Sequence, residues 1–132
     1  MISFLLLAAA AAAQPQLNCK NPMTQTDMTI CAGRSAKAAD TAMVSKYEVA
    51  TVILGNMDRD IDRKYDKRPS YSAALLASQR AWLKFRDAEC VVEGYSARGG
   101  SMEPMIVNGC YEEVTRARTK QLQELLKSYS GD

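Results

Sequence analysis

Apolar positions along this chain recur at three- and four-residue spacing and nowhere alternate over a run of β-branched residues, which predicts helices and no strand. The first helix begins near Thr24, where Thr24 and Asp27 form a capping box with Asp in place of the usual Glu. Its stripe is Asp40, Met43, Val44, Tyr47, Thr51 and Leu54; Gly55-Asn56 ends or kinks it, and otherwise it runs on to about Asp66. Pro69 closes that segment and Ser70 is placed to cap a second helix reaching about Tyr95, with Leu75, Gln79, Trp82, Leu83, Arg86 and Cys90 on one stripe. Ala97-Arg98-Gly99-Gly100 is a break, after which Ser101 can cap a third helix that tolerates Pro104 in its first turn. Val107, Tyr111, Val114, Arg118, Leu122 and Leu125 line that helix to an end near Ser128. The short Gly-rich connection makes helices two and three antiparallel. The expected fold is therefore all-α, a small three-helix domain built around a helical hairpin.

Each stripe carries polar intruders: Asp40 on the first, Gln79 and Arg86 on the second, Arg118 on the third. A helix that needed only a core would place leucines there, because an unpaired buried amide or charge is very costly. These residues predict a buried or half-buried polar network that fixes how the helices meet, with Tyr47 and Tyr111 as candidate hydroxyl partners. The competing reading is that the long side chains snorkel to the edge of the core.

The N-terminus alters the picture of where the domain folds. Ile2–Ala13 is apolar apart from Ser3, and Ala11-Ala12-Ala13 before Gln14 has the small-residue pattern of a secretory cleavage site. The run departs from the usual pattern in lacking an upstream Lys or Arg, and it is too short to span a bilayer, which takes about 20 residues. Gln16-Leu17-Asn18 ahead of Cys19 lacks the small residues of a lipidation site. We therefore expect a signal peptide over residues 1–13, no transmembrane anchor after its removal, and a single domain over residues 14–132 in the periplasm or outside the cell.

An exported chain with four cysteines is most simply read as carrying two disulfides. Three connectivities are open; locality favours Cys19–Cys31 and Cys90–Cys110, and the second of these also suits an antiparallel hairpin. Structural zinc needs closely spaced pairs, which spacings of 12 and 20 do not offer, and no CxxC occurs.

Cys19, Cys31, Ala39-Asp40, Met43, Tyr47, the block Gln79-x-x-Trp82-x-x-x-Arg86-Asp87-x-x-Cys90, Gly99-Gly100-Ser101 and Cys110 together resemble the lysozyme-inhibitor LprI-like domain of bacterial envelope proteins. The resemblance spans about residues 19–126, and the Gln-x-x-Trp…Arg-Asp…Cys block is its most specific part. It implies an all-helical, disulfide-stapled exported domain whose partner is lysozyme or another peptidoglycan hydrolase.

Charge and residue chemistry narrow the remaining choices. A net charge of +2 is no nucleic-acid signature, and common lysozymes are themselves strongly basic, so an inhibitor steered by charge ought to be acidic. Asp58, Asp60, Asp62 and Asp66 form an acidic cluster, but Arg59, Arg63, Lys64, Lys67 and Arg68 largely cancel it along the chain. A second route is the turn Arg98, Gly99, Gly100, Ser101 and Met102, a polar loop that could enter an enzyme cleft. With no histidine, the commonest general base and metal ligand is missing. Asn56-x-Asp58-x-Asp60 fails as a calcium loop, since Ile61 holds the Gly position and Lys67 the closing Glu position. Neither catalysis, metal nor cofactor is expected. Two functions stay open: an inhibitor that occludes the lysozyme cleft, and an envelope interaction module that binds protein or cell wall without inhibiting.

Overall fold

A computed structural model of the chain describes residues 16–130, so the expected signal peptide lies outside the described residues. Three helices carry the fold: α1 (Gln25–Met57), α2 (Tyr71–Gly94) and α3 (Glu103–Ser130), with no strand among the described residues. At 33 residues, α1 is roughly 50 Å long. Thr24 caps it, its hydroxyl accepting from the Asp27 amide at 3.0 Å. The helix stops at Met57, one residue past Gly55-Asn56, and gives way to a short 3₁₀ turn at Asp58–Asp60 rather than running to Asp66.

Contacts along the helices settle their directions. Asp40 meets Arg86, Met43 meets Gln79 and Asp58 meets Tyr71, so α1 and α2 run antiparallel. Cys90 is bonded to Cys110, Arg118 reaches Gln79 and Tyr71 packs edge-on against Tyr129, so α2 and α3 are antiparallel too. Gln25 lies beside Met105 and Gly33 beside Asn108, which makes α1 and α3 parallel neighbours. The observed disulfides are Cys19–Cys31 and Cys90–Cys110.

The molecule is layered from one end to the other. At the end holding the α1–α2 connection, Met43, Ala50, Leu54, Leu75 and Leu122 form the buried core, with Tyr47, Met57, Trp82, Leu125 and Leu126 packed on it. At the other end, the Cys90–Cys110 bridge and a close approach at Gly94 hold α2 to α3. A Cβ on Gly94 would lie 2.5 Å from Val107 Cγ2, so any larger residue would force the Val107 side chain to shift.

Two local expectations are corrected by the structure. The face of α1 that enters the core is Ala39, Met43, Ala50 and Leu54, a small rotation from the expected stripe; Val44 is 41% exposed, and exposed Thr51 returns its hydroxyl to the Tyr47 carbonyl. Two alanines on the inner face let long side chains from the facing helices fill the space, a choice no single-helix pattern signals. At the start of α3, Ser101 lies in a turn before the helix. It is the Glu103 carboxylate that reaches back, accepting from the Gly99 amide at 2.6 Å. Gly99, at φ 76°, supplies the left-handed residue this turn requires.

Candidate functional site

Between the core and the disulfide lies a belt of polar groups. Arg118 on α3 donates from Nε to Gln79 Oε1 at 3.0 Å and from Nη2 to Ser78 Oγ at 3.0 Å, while Gln79 Nε2 points at Met43 Sδ at 3.1 Å. Gln79 is only 6% exposed, so these contacts account for an amide that would otherwise be stranded. One step further along α2, Arg86 donates to Asp40 Oδ1 and to Asp87 Oδ1, each at 3.1 Å. Its guanidinium carbon lies 5.2 Å from the Trp82 ring centre and 4.9 Å from that of Tyr111. Arg118 approaches Trp82 at 5.8 Å, so the indole serves both cations. Burial pushes Arg118 below the usual guanidinium value, an effect the Tyr47 hydroxyl opposes. Burial raises the Tyr111 phenol, and the Asp87 carboxylate adds to that.

The expected intruders are thus distributed over two pairs, Gln79–Arg118 and Asp40–Arg86, bridged by Trp82. Tyr47 packs on the core, and no hydrogen bond among the described residues involves its hydroxyl. Because Arg86 binds two carboxylates and two rings through one flat group, lysine is a poor substitute. Arg86→Lys should lower the unfolding free energy by about 1–2 kcal/mol, read as a lower urea midpoint at unchanged slope.

At the core end of the bundle, residues 58–70 make an irregular loop fastened at many points. Asp58 accepts from the Tyr71 amide at 2.7 Å, from the Ser72 amide at 3.2 Å and from the Ser72 hydroxyl; beside it, the Ser70 hydroxyl accepts from the Ala73 amide. A carboxylate at a helix N-terminus meets both free amides and the positive end of the macrodipole. Asp62 Oδ1 receives the Lys64 amide, and its carbonyl receives the Tyr65 and Asp66 amides. Asp66 pairs with Arg68 through the amide, Nε and Nη2.

The loop borders two adjoining, open recesses. One, of about 310 Å³, is lined by Met57, Asp60, Ile61, Asp62, Tyr65, Asp66 and Tyr71. The other, of about 370 Å³, shares Ile61, Asp66 and Tyr71 and is closed by Arg68, Pro69, Ser70 and Ala74. Tyr65 was passed over by sequence reasoning, although a tyrosine among charges in a Pro-bounded segment that lacks helical spacing was a signal.

Hydrogen bonds and ion pairing with Arg68 bring the Asp66 carboxyl from 3.8 to about 2, and the Ser72 contacts lower Asp58 as well. A carboxyl lowered on folding stabilises above its unfolded value, and that contribution is lost as pH falls through the folded one. The loop should therefore loosen between about pH 4 and 2 while the helices persist. In an NMR titration, the Arg68 amide should follow a midpoint near 2; a midpoint near 4 would contradict the ion pair.

The turn Arg98–Met102 lies at the opposite end of the molecule. Arg98 stacks on Tyr95 at 4.4 Å, the Gly100 amide bonds the Ala97 carbonyl at 2.8 Å, Ser101 is exposed and Met102 is 47% exposed. Among the described residues, no group of three or more His, Cys, Asp or Glu side chains could hold a metal ion, and no helix is long and apolar enough to cross a membrane.

Comparison with known proteins adds the decisive observation. The family model described as "Lysozyme inhibitor LprI" matches residues 18–122. The chain belongs to the lysozyme inhibitor LprI family. It is also 40% identical over 124 residues to an uncharacterized protein of Rhizobium meliloti (strain 1021), covering 92% of this chain and 87% of that protein. No solved structure matches the chain. The stretch matched by the LprI family takes in both disulfides, the polar belt and the whole 58–70 loop.

Proposed function

We propose that this chain is an exported inhibitor of lysozyme or a related muramidase, binding the enzyme and covering its cleft so that peptidoglycan is not hydrolysed. The observation that carries this reading is membership of the LprI family across residues 18–122. Two disulfides fit folding in an oxidising compartment, and the apolar run Ile2–Ala13 fits export to the periplasm or beyond. An inhibitor needs no catalytic group of its own. It needs a rigid surface, and a helical hairpin closed by Cys90–Cys110 offers one, because a preorganised face loses little entropy on binding. The net charge of +2 favours the second reading, an envelope interaction module that inhibits nothing, since charge does not draw such a chain to a basic enzyme.

A lysis assay separates the two. Oxidised protein should slow the clearing of peptidoglycan suspensions by at least one lysozyme type, in proportion to its molar excess. Unchanged rates across several lysozyme types would leave the interaction module.

A further inference from the structure

We infer that the outer face of α2 is covered by the same face of a second copy of this chain, with the two α2 helices parallel. This goes beyond the inhibitor reading and does not depend on it.

One side of α2 is turned to the bundle, where Leu75, Gln79, Cys90 and Gly94 are buried. A helix with a single partnered side carries polar and charged residues on the other. Here the other side reads Ser78, Ala81, Phe85, Ala88, Val92 and Tyr95, and all six are exposed. Ala74 extends the stripe by one position, to a length of roughly 30 Å. Phe85 is 54% exposed and Val92 64%, so this is not the margin of the core. The two ends of the stripe are engaged, since Ser78 accepts from Arg118 and Arg98 lies over the Tyr95 ring. Its apolar middle is what stands open.

Spacing names the occupant. Steps along the stripe alternate between three and four residues, which is the heptad of a two-stranded coiled coil. Ser78, Phe85 and Val92 take its first core position; Ala74, Ala81, Ala88 and Tyr95 take its second. In a parallel pair each of these residues meets its own copy. Large layers at Phe85 and Val92 then alternate with small ones at Ala81 and Ala88, so the side chains interdigitate. Val92, β-branched at a first core position, suits two strands.

Charge decides the orientation. Lys84 and Glu89 stand on opposite flanks of the stripe, five residues apart, too far round the helix to pair with each other. Neither belongs to an ion pair among the described residues. In a parallel pair these two flanking positions face across the seam, so Lys84 of each copy meets Glu89 of the other. An antiparallel pair would bring like flanks together, lysine to lysine and glutamate to glutamate. Covering the stripe would remove on the order of 600 Å² per chain from water, about 1,200 Å² in all, the low end for a specific interface. The dimer is therefore reversible, and its parallel sense sets the two Arg98–Met102 turns at the same end.

Sedimentation of the exported, oxidised chain from micromolar to near-millimolar concentration is the test. The wild type should pass from monomer to dimer, and its melting temperature should rise with concentration. Phe85→Lys and Val92→Lys change exposed side chains, so both should melt with the wild type at the lowest concentration. Each should weaken association by about thirtyfold or more, as loss of a central interface residue does. Lys84→Glu and Glu89→Lys should each weaken it about fivefold, and the two together should restore it to within about twofold. Val52→Lys, on the exposed face of α1, should leave association unchanged. A monomer at every concentration would overturn the proposal and leave the stripe to a different partner. So would a dimer that survives both stripe variants, or one that Val52→Lys abolishes. Single charge reversals without effect would overturn the parallel pairing.

Discussion

Replacing Cys90 and Cys110 together by alanine should lower the unfolding free energy by about 3 kcal/mol, the chain-entropy value for a loop of this length. Both cysteines are buried, at 0% and 3% exposure, so lost packing adds to the loss of the cross-link. For a domain of this size the melting temperature should fall by roughly 12 °C, followed by far-UV circular dichroism under oxidising conditions. Cys19–Cys31 is the informative contrast. It spans 12 residues rather than 20, and exposed Cys19 lies ahead of α1 and away from the core. Without that bond the segment before α1 can detach while the bundle stays folded, so the loss is limited to what docks the segment, about 1 kcal/mol or less. Equal drops for the two double variants would contradict the layered picture, in which only one staple holds the hairpin.

Arg118→Ala is expected to cost about 2–3 kcal/mol, because it leaves the carbonyl of a buried amide without its donor. Gln79 Oε1 has Arg118 Nε as its partner at 3.0 Å, and the same substitution strips the guanidinium from Trp82. Changing both partners, Gln79→Leu with Arg118→Met, should be markedly milder than Arg118→Ala alone, since no polar group is then stranded. Urea titrations of the single and double variants give the comparison directly. An Arg118→Ala cost below about 0.5 kcal/mol would show that water reaches Gln79 and satisfies it.

The same residues show how far the chain could be read without its fold. The block from Gln79 to Cys90 announced a helix whose apolar stripe had been deliberately interrupted, and Gln79, Arg86 and Cys90 do lie on the inner side of α2. Thr24 was recognisable as a cap from Asp27 three residues on, and Ser70 from Pro69 just before it; their hydroxyls accept from the Asp27 and Ala73 amides. The two disulfides were legible from spacing and from the hairpin. The loop was not. Along the chain its four Asp and five Arg and Lys nearly cancel on paper, and nothing in the helical pattern says that Arg63 and Lys67 will turn to backbone carbonyls or that Asp60 and Asp62 will line a hollow. Asp58 looked like one more member of an acidic cluster, yet it is the anion that starts α2.

What the sequence determined by itself was most of what is set within a few residues: helical period, the Thr24 and Ser70 caps, the breaks, the hairpin and the family. Those depend on backbone geometry and on near neighbours, which the order of residues specifies directly. Tertiary structure alone decided the rotation of α1 that buries Ala39 and Ala50, the separate pairing of Gln79 with Arg118 and Asp40 with Arg86, and the seating of Asp58 on the first amides of α2. Each of these is a choice among partners far apart in the chain. It is made by the competition for buried space and for hydrogen-bond donors once three helices are pressed together.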